Sequence, residues 1–385
     1  MTKEKIRLYT ELMLKQVNKR HYRECGDQAE IIRTMEHTDF ILSDGIGSGS
    51  YANIAARLNN SRVLHLMQSG VSIHPACEKV LKLMHRARSE KVPFAAFNVA
   101  RIMKGGQFTS LSFEAPVPLL IRDGIVQKLR TTHYTLSNEV VGETSVLLKE
   151  GDSMIFFTDG ITQAGLGRGH GMGWGEEGFH DLLQKCISAG MTYDDALDII
   201  LMKTKSLSGN EHGDDTSIAL LTLRKASVIN LLSGPPANKE DDAKLVKKFL
   251  AADGLKVVCG STTADMTARV MGKRVKMEEM PDSLTTPPEY SIDGIDLVME
   301  GAVTLNQAYN ILDEDAPNNG EEGIFKLCSL LRNADIVRFF EGMAENTAHD
   351  DITFKQMGLL KRAIIVQLLN EKLIKMGKVT RIEKM

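Results

Sequence analysis

Phe40-Ile41-Leu42-Ser43-Asp44-Gly45-Ile46-Gly47-Ser48-Gly49 is an apolar run that stops on an aspartate and breaks at once into a glycine-rich turn. The run reads as the end of a strand over Thr34 to Ser43, because a short apolar stretch bounded by glycines suits a buried strand. Downstream, apolar residues recur at spacings of three and four over Tyr51 to Ser69 and His74 to Ser89, which predicts two helices. Past Pro93 come short β-type runs: Phe94 to Ile102, Phe108 to Phe113, and Val117 to Leu129 around the turn Asp123-Gly124. Ser145 to Lys149 and Ser153 to Thr158 continue the pattern. Glu177 to Ala189 and Tyr193 to Ser206 read as helices, and Thr216 to Leu223 as a closing strand. Strands and helices in this order do not alternate as in a parallel α/β protein. They predict an α+β fold, antiparallel sheets with segregated helices in layers.

The aspartate at the end of the opening run is not alone in its setting. Asp159 follows Met154-Ile155-Phe156-Phe157-Thr158 and precedes Gly160; Asp214 and Asp215 stand just ahead of Thr216 to Leu223; Asp27 follows Gly26. Strand ends are rigid, and carboxylates converging there repel unless a cation lies between them. Oxygen donors point to hard divalent ions such as Mg2+ or Mn2+. A single Asp-Gly is ordinarily a turn, and Asp123-Gly124 and Asp293-Gly294 read that way. Four acids in matching settings within one region are a different signal. The turn Asp44 to Gly49 lacks the glycine spacing of a dinucleotide site and the Lys-Ser/Thr of a P-loop.

Ser43-Asp44-Gly45-Ile46-Gly47-Ser48-Gly49, Phe157-Thr158-Asp159-Gly160-Ile161-Thr162-Gln163-Ala164 and Gly213-Asp214-Asp215-Thr216-Ser217 resemble the three acidic motifs of metal-dependent (PPM-type) serine/threonine protein phosphatases. They look most like the branch of stage II sporulation protein E and the stress-response phosphatases that dephosphorylate anti-sigma-factor antagonists. The resemblance covers roughly Glu24 to Arg224. It implies an αββα sandwich that holds two Mn2+ or Mg2+ ions and acts on phosphoserine or phosphothreonine in a protein. It implies that Asp44 bridges the metals, that the Gly45 carbonyl binds one, that Asp159 and Asp214 hold the other, and that Asp27 is the early acidic ligand. Asp215 falls at a variable position and is expected to act behind the ligands. Two cations would acidify a bridging water for in-line attack on phosphorus. The family's Gly-His-Pro-Pro segment reads Phe113-Glu114-Ala115-Pro116-Val117-Pro118 here, a departure on the substrate side. Arg23, four residues before Asp27, has the spacing of a phosphate-binding arginine in the family's eukaryotic branch, against the plainer reading of a surface arginine. Gly165 to Gly175 reads either as a flap or as a plain loop. All four acidic positions are intact, which favours an enzyme over the alternative, a degenerate phosphatase acting as a binding module.

The pattern restarts near residue 226, so a phosphatase domain over 1–225 and a smaller α/β accessory domain over 226–385 are expected. Val228 to Leu232, Leu255 to Cys259 and Ile295 to Met299 read as strands, Lys239 to Ala252 and Ser261 to Gly272 as helices, and the remainder as a mostly helical tail. The tail resembles extensions on some anaerobic bacterial phosphatases linked with hydrogenase systems. Gly260, Ser261, Thr262 and Thr263 form a candidate anion cradle at a helix start, against the plainer reading of a helix cap. His349-Asp350-Asp351-Ile352-Thr353 imitates the last acidic motif, but Leu359 to Met376 after it reads as an amphipathic helix rather than a closing strand. Glu300 is a further strand-end carboxylate.

Composition sets the outer bounds. The chain has 385 residues, 43% hydrophobic and 25% charged, with a net charge of −3, so no broad positive field invites nucleic acid or an anionic membrane. Lys244, Lys247 and Lys248 fall at the spacing of a solvated helix face. Met1 to Lys15 lacks a secretory apolar segment, no run reaches the roughly 20 residues of a membrane span, and five scattered cysteines form no CxxC pair. A cytoplasmic protein is expected, with a regulator resembling an anti-sigma-factor antagonist as substrate and a homodimer as a candidate assembly.

Overall fold

The computed structural model describes residues 8–90, 94–168, 171–277, 290–313, 323–344 and 359–385. The acidic run His349 to Thr353, the loop Met280 to Pro288 and His170 lie outside the described residues. The chain forms two compact units that meet in sequence at Lys225 and Ala226.

The first unit contains two antiparallel sheets. One orders β1 (Leu8–Val17), β11 (Thr216–Lys225), β10 (Ser153–Phe157), β6 (Leu119–Arg122) and β7 (Ile125–Lys128). The other orders β2 (Asp27–Arg33), β3 (His37–Gly45), β4 (Ala95–Met103), β5 (Gln107–Phe113), β9 (Glu139–Leu147) and β8 (Thr131–Leu136). The central strands are apolar on both faces, and alternation sends their residues to different layers. On β3 and β10, Phe40, Leu42, Met154 and Phe156 enter the layer between the sheets. Ile41 packs instead under α1 (Ser50–Gln68) and α2 (Ile73–Glu90). Ile155 and Phe157 pack under α4 (Gly175–Ser188) and α5 (Tyr193–Leu207). Three apolar layers between two sheets and two helical faces make the expected αββα sandwich.

Some elements differ from the sequence reading. β3 starts at His37, after a turn in which the Thr34 amide donates to the His37 carbonyl. β1 and β2 carry charge along exposed edges, and this hid their strand character. Lys15 on β1, for example, pairs with Asp194 and Asp198. Asp123 and Gly124 both have positive φ (51° and 75°), the turn that joins β6 to β7.

The second unit is a seven-stranded sheet in the order β14 (Lys276–Met277), β15 (Tyr290–Ser291), β16 (Leu297–Met299), β13 (Leu255–Cys259), β12 (Val228–Ser233), β17 (Ile336–Glu341), β18 (Val379–Lys384). β16, β13, β12, β17 and β18 are parallel. α6 (Asp242–Ala251) and α7 (Ser261–Met271) cover one face. α8 (Ala302–Ile311), α9 (Gly323–Asn333) and α10 (Arg362–Lys375) cover the other. The tail thus contains the expected helices and also two strands, β17 and β18, that the sequence reading left out. β17 is an unbroken apolar and charged run, Ile-Val-Arg-Phe-Phe-Glu, which periodicity alone does not separate from helix. Lys244, Lys247 and Lys248 are exposed on α6, as expected. No described helix is long and apolar enough to cross a membrane.

Candidate metal centre and phosphatase site

The four acids arrive from both sheets. Asp27 opens β2 and is paired in register with Asp44 near the end of β3, while Asp159 opens the short helix α3 (Asp159–Thr162) behind β10 and Asp214 precedes β11. The link between the sheets runs through Asp27. Its Oδ2 accepts from the hydroxyls of Thr158 at 2.8 Å and Ser217 at 2.7 Å, both on the facing sheet. The backbone of Thr158 and Ser217 is tied as well, since the Thr158 amide donates to the Ser217 carbonyl at 3.1 Å and the Ser217 amide to Thr158 Oγ1 at 3.0 Å.

Helix α1 braces the first two acids. Asn53 donates to the Cys25 carbonyl, Asn60 to the Gln28 carbonyl, and Asn59 to Ser43 Oγ, which in turn donates to Asn60. Buried amides in a helix interior cost stability unless satisfied, so this network locks the ends of β2 and β3. Gly45 is required here because a Cβ would collide with the Ala52 carbonyl of α1.

Electrostatics mark the cluster as short of positive charge. Burial raises the pKa of Asp44, and the neighbouring charges of Asp27 and Asp159 raise it further. Burial likewise raises Asp27, although the hydroxyls of Ser217 and Thr158 oppose it. Burial also raises Asp159, with the charge of Asp214 adding to it, while the Asp44 carboxyl and the charge of Lys19 oppose it.

The donor set fits divalent metal ions. All its members are hard oxygens, the preference of Mg2+ and Mn2+. Asp27 Oδ1 is buried and without a partner, an oxygen left over after the cross-sheet bonds are made. Among the described residues no three His, Cys, Asp or Glu side chains close into a ready cage.

Sequence reasoning missed several residues. Lys19, in the turn after β1, places Nζ 3.2 Å from Asp214 Oδ1, and its charge lowers the pKa of Asp159. The Lys19 amide donates to Asp215 Oδ1 at 2.9 Å, so buried Asp215 fixes the turn that carries this cation. Gln163 donates to Asp159 Oδ2 at 2.7 Å, and its spacing of four on a helix start was a usable signal. Lys19 offered none, because 195 positions separate it from its partner. A cleft beside the cluster is lined by Asp44, Asp159, Thr158, Asn98, Glu114 and Pro116, so the departing segment Phe113 to Pro118 does border the site. Arg23 is exposed on the turn, with its carbonyl accepting from Asn18.

The Gly260 to Thr263 turn in the second unit is less open than a free cradle. Thr263 Oγ1 accepts from the Gly234 amide and the Gly260 amide donates to the Met299 carbonyl, so both serve to join turns. Ser261 and Thr262 are exposed, and neither side chain caps α7. Cys259 is buried, and burial pushes its thiol up to about 12, the state of inert packing.

Residues 34–224 match the sequence model of the family Stage II sporulation protein E (SpoIIE). The matched stretch lies wholly within the first unit. Over that stretch the first unit is similar to the SpoIIE family. Similar solved structures include the RsbU and RsbW domains of Rv1364c from Mycobacterium tuberculosis, at 18% identity and TM-score 0.47, covering 64% of this chain and 71% of that one. The PP2C phosphatase domain with a regulatory fragment of SpoIIE from Bacillus subtilis matches at 17% identity and TM-score 0.47, covering 57% and 65%. RsbX, solved in complex with magnesium, matches at 18% identity and TM-score 0.41, covering 56% and 95%. No curated protein matches the chain.

Proposed function

We propose that the first unit hydrolyses phosphoserine or phosphothreonine in a bacterial signalling protein, using two Mn2+ or Mg2+ ions held by Asp27, Asp44, the Gly45 carbonyl, Asp159 and Asp214. The observation that carries the reading is the meeting of four acids from two facing sheets, with a buried Asp27 oxygen left without a partner. When bound, the metals supply an acidified water and neutralise charge on the phosphoryl group. Thr158 and Ser217 hold the Asp27 carboxylate by one oxygen and leave the other without a partner, free to take a metal. Gln163 fixes one oxygen of Asp159. Lys19, set by Asp215, offers a positive group at the exposed side of the cluster. Asn98 donates to the Pro116 carbonyl at 3.0 Å and so shapes the cleft wall where the substrate would enter. The second unit would serve as a regulatory or ligand-sensing domain, in a cytoplasmic protein that pairs as a homodimer. The substrate class resembles the anti-sigma-factor antagonists on which the family acts.

The test is hydrolysis of p-nitrophenyl phosphate and a phosphoserine peptide by the full chain with and without Mn2+. Turnover that needs Mn2+ and is lost in Asp44→Asn is expected. A folded protein that binds Mn2+ but turns over neither substrate would overturn the reading and leave a binding module.

A further inference from the structure

The parallel strands of the second unit end on one edge in a single register. Met299, Cys259, Ser233, Glu341 and Lys384 align across β16, β13, β12, β17 and β18. Two residues earlier on β12 and β17, on the same face, Leu231 and Phe339 belong to the apolar layer under α8, α9 and α10. Cys259 and Met299 carry that layer to the edge. At the centre it changes to Ser233 and Glu341, which are only 1% and 2% exposed. A hydroxyl and a carboxylate cost stability in such a place unless both are satisfied.

Neither is well satisfied. Ser233 Oγ has no hydrogen-bond partner, and Lys384 Nζ stands 3.9 Å from the Glu341 carboxylate. Arg362, the first residue of α10, reaches the same spot. Its Nη2 donates to the carbonyls of Gly342 at 2.7 Å and Ala344 at 2.6 Å, and its guanidinium lies where a Cβ on Gly234 would be. Its Nε is buried without a partner. Glu341 and Arg362 feel each other's charge, yet among the described residues they form no ion pair. Breaking up a buried pair of opposite charges is costly, and here the two carbonyls hold the guanidinium back.

The place is also a turning point of the topology. From β12 the chain adds β13 and then β16 on one side, and afterwards crosses to lay β17 on the other side of β12. Open parallel sheets bind ligands outside the carboxyl ends of their strands where the order reverses. Glycines let the two turns approach here, since a Cβ on Gly342 would collide with the carbonyls of Gly234 and Pro235.

We propose that Ser233, Glu341 and Arg362, at the ends of β12 and β17, form a binding site for a small organic anion that also carries hydroxyl or amino donors. Arg362 Nε and the Ser233 hydroxyl donate to a carboxylate or phosphoryl oxygen, and Glu341 accepts from the donors of the same molecule. A mononucleotide, with phosphate and ribose hydroxyls, and an α-amino acid, with carboxylate and ammonium, both present this pairing. The site does not depend on the phosphatase reading of the first unit.

The test uses the full chain in EDTA, so that the acidic cluster offers phosphate no cation. Calorimetric titration and thermal unfolding are run with AMP, ADP, ATP and GMP in one arm, glutamate, aspartate, serine and glycine in a second, and inorganic phosphate as the anion alone. One arm is expected to bind at one ligand per chain and to raise Tm with concentration. Ser233→Ala and Glu341→Gln should each weaken that binding at least tenfold. Both should leave the unliganded Tm equal or higher, because each relieves a poorly satisfied buried group. Arg362→Gln should lose binding, and Ser233→Ala carries the test if that variant does not fold. No binding in either organic arm, or binding unchanged in Ser233→Ala and Glu341→Gln, overturns the site. Inorganic phosphate binding as tightly as the best organic ligand overturns the role given to Glu341.

Discussion

Lys19 Nζ lies 3.2 Å from Asp214 Oδ1, so the chain's own cation sits against the acid of the last motif. Both side chains are partly exposed, at 30% and 46%, and solvent screens the contact. A divalent ion at Asp214 would be repelled by that ammonium. Lys19→Met should therefore tighten Mn2+ binding by a few-fold, on the order of 0.5 kcal/mol for a screened pair. Calorimetric titration of Mn2+ into both proteins checks this; equal or weaker binding by the variant would count against it.

Without metal, the acidic cluster should make the first unit sensitive to alkali. Asp44, Asp27 and Asp159 all titrate above the ordinary carboxylate range when folded. The unfolded chain ionises them near pH 4, so the folded form binds more protons above that point. Stability from this source is complete below about pH 4 and is lost as pH rises through the raised folded-state values. Thermal unfolding in EDTA should show a lower Tm at pH 8 than at pH 5.5. Mn2+ should restore it at pH 8, and Asp44→Asn should flatten the dependence.

Thr158→Val and Ser217→Ala each take one hydroxyl donor from buried Asp27 Oδ2. Each should destabilise the chain by about 1–3 kcal/mol, the cost of a lost bond to a charged group. Because Asp27 is a proposed ligand, Mn2+ affinity should fall as well. Unfolding curves and Mn2+ titration of the two variants separate the effects, and a variant with wild-type values in both would show that Asp27 needs no cross-sheet support.

Gly45→Ala is expected to be worse than a loss of ligand. The added Cβ meets a backbone carbonyl of α1 rather than the tip of a mobile side chain, so the helix or the end of β3 must move. A cost of ~3 kcal/mol follows for such overpacking. Circular dichroism and thermal unfolding measure it; a variant as stable as wild type would mean that α1 can shift freely.

The sequence by itself determined the strand ends. Apolar runs stopping at Asp44 and Asp159, and the strand starting after Asp214 and Asp215, are local patterns, legible because burial on both faces of a central strand writes a continuous hydrophobic run. The same holds for β12 and β13. Edge strands such as β1 and β8 were hidden because most of their residues are only partly buried or exposed, so no continuous apolar run marks them. What only the tertiary structure decided is which groups meet. Thr158 and Ser217 reach Asp27 across 131 and 190 positions, and Ser233 meets Glu341 only through sheet register. Periodicity reports the face of an element, whereas a partner across two sheets depends on how those faces pack, which no local stretch of sequence encodes.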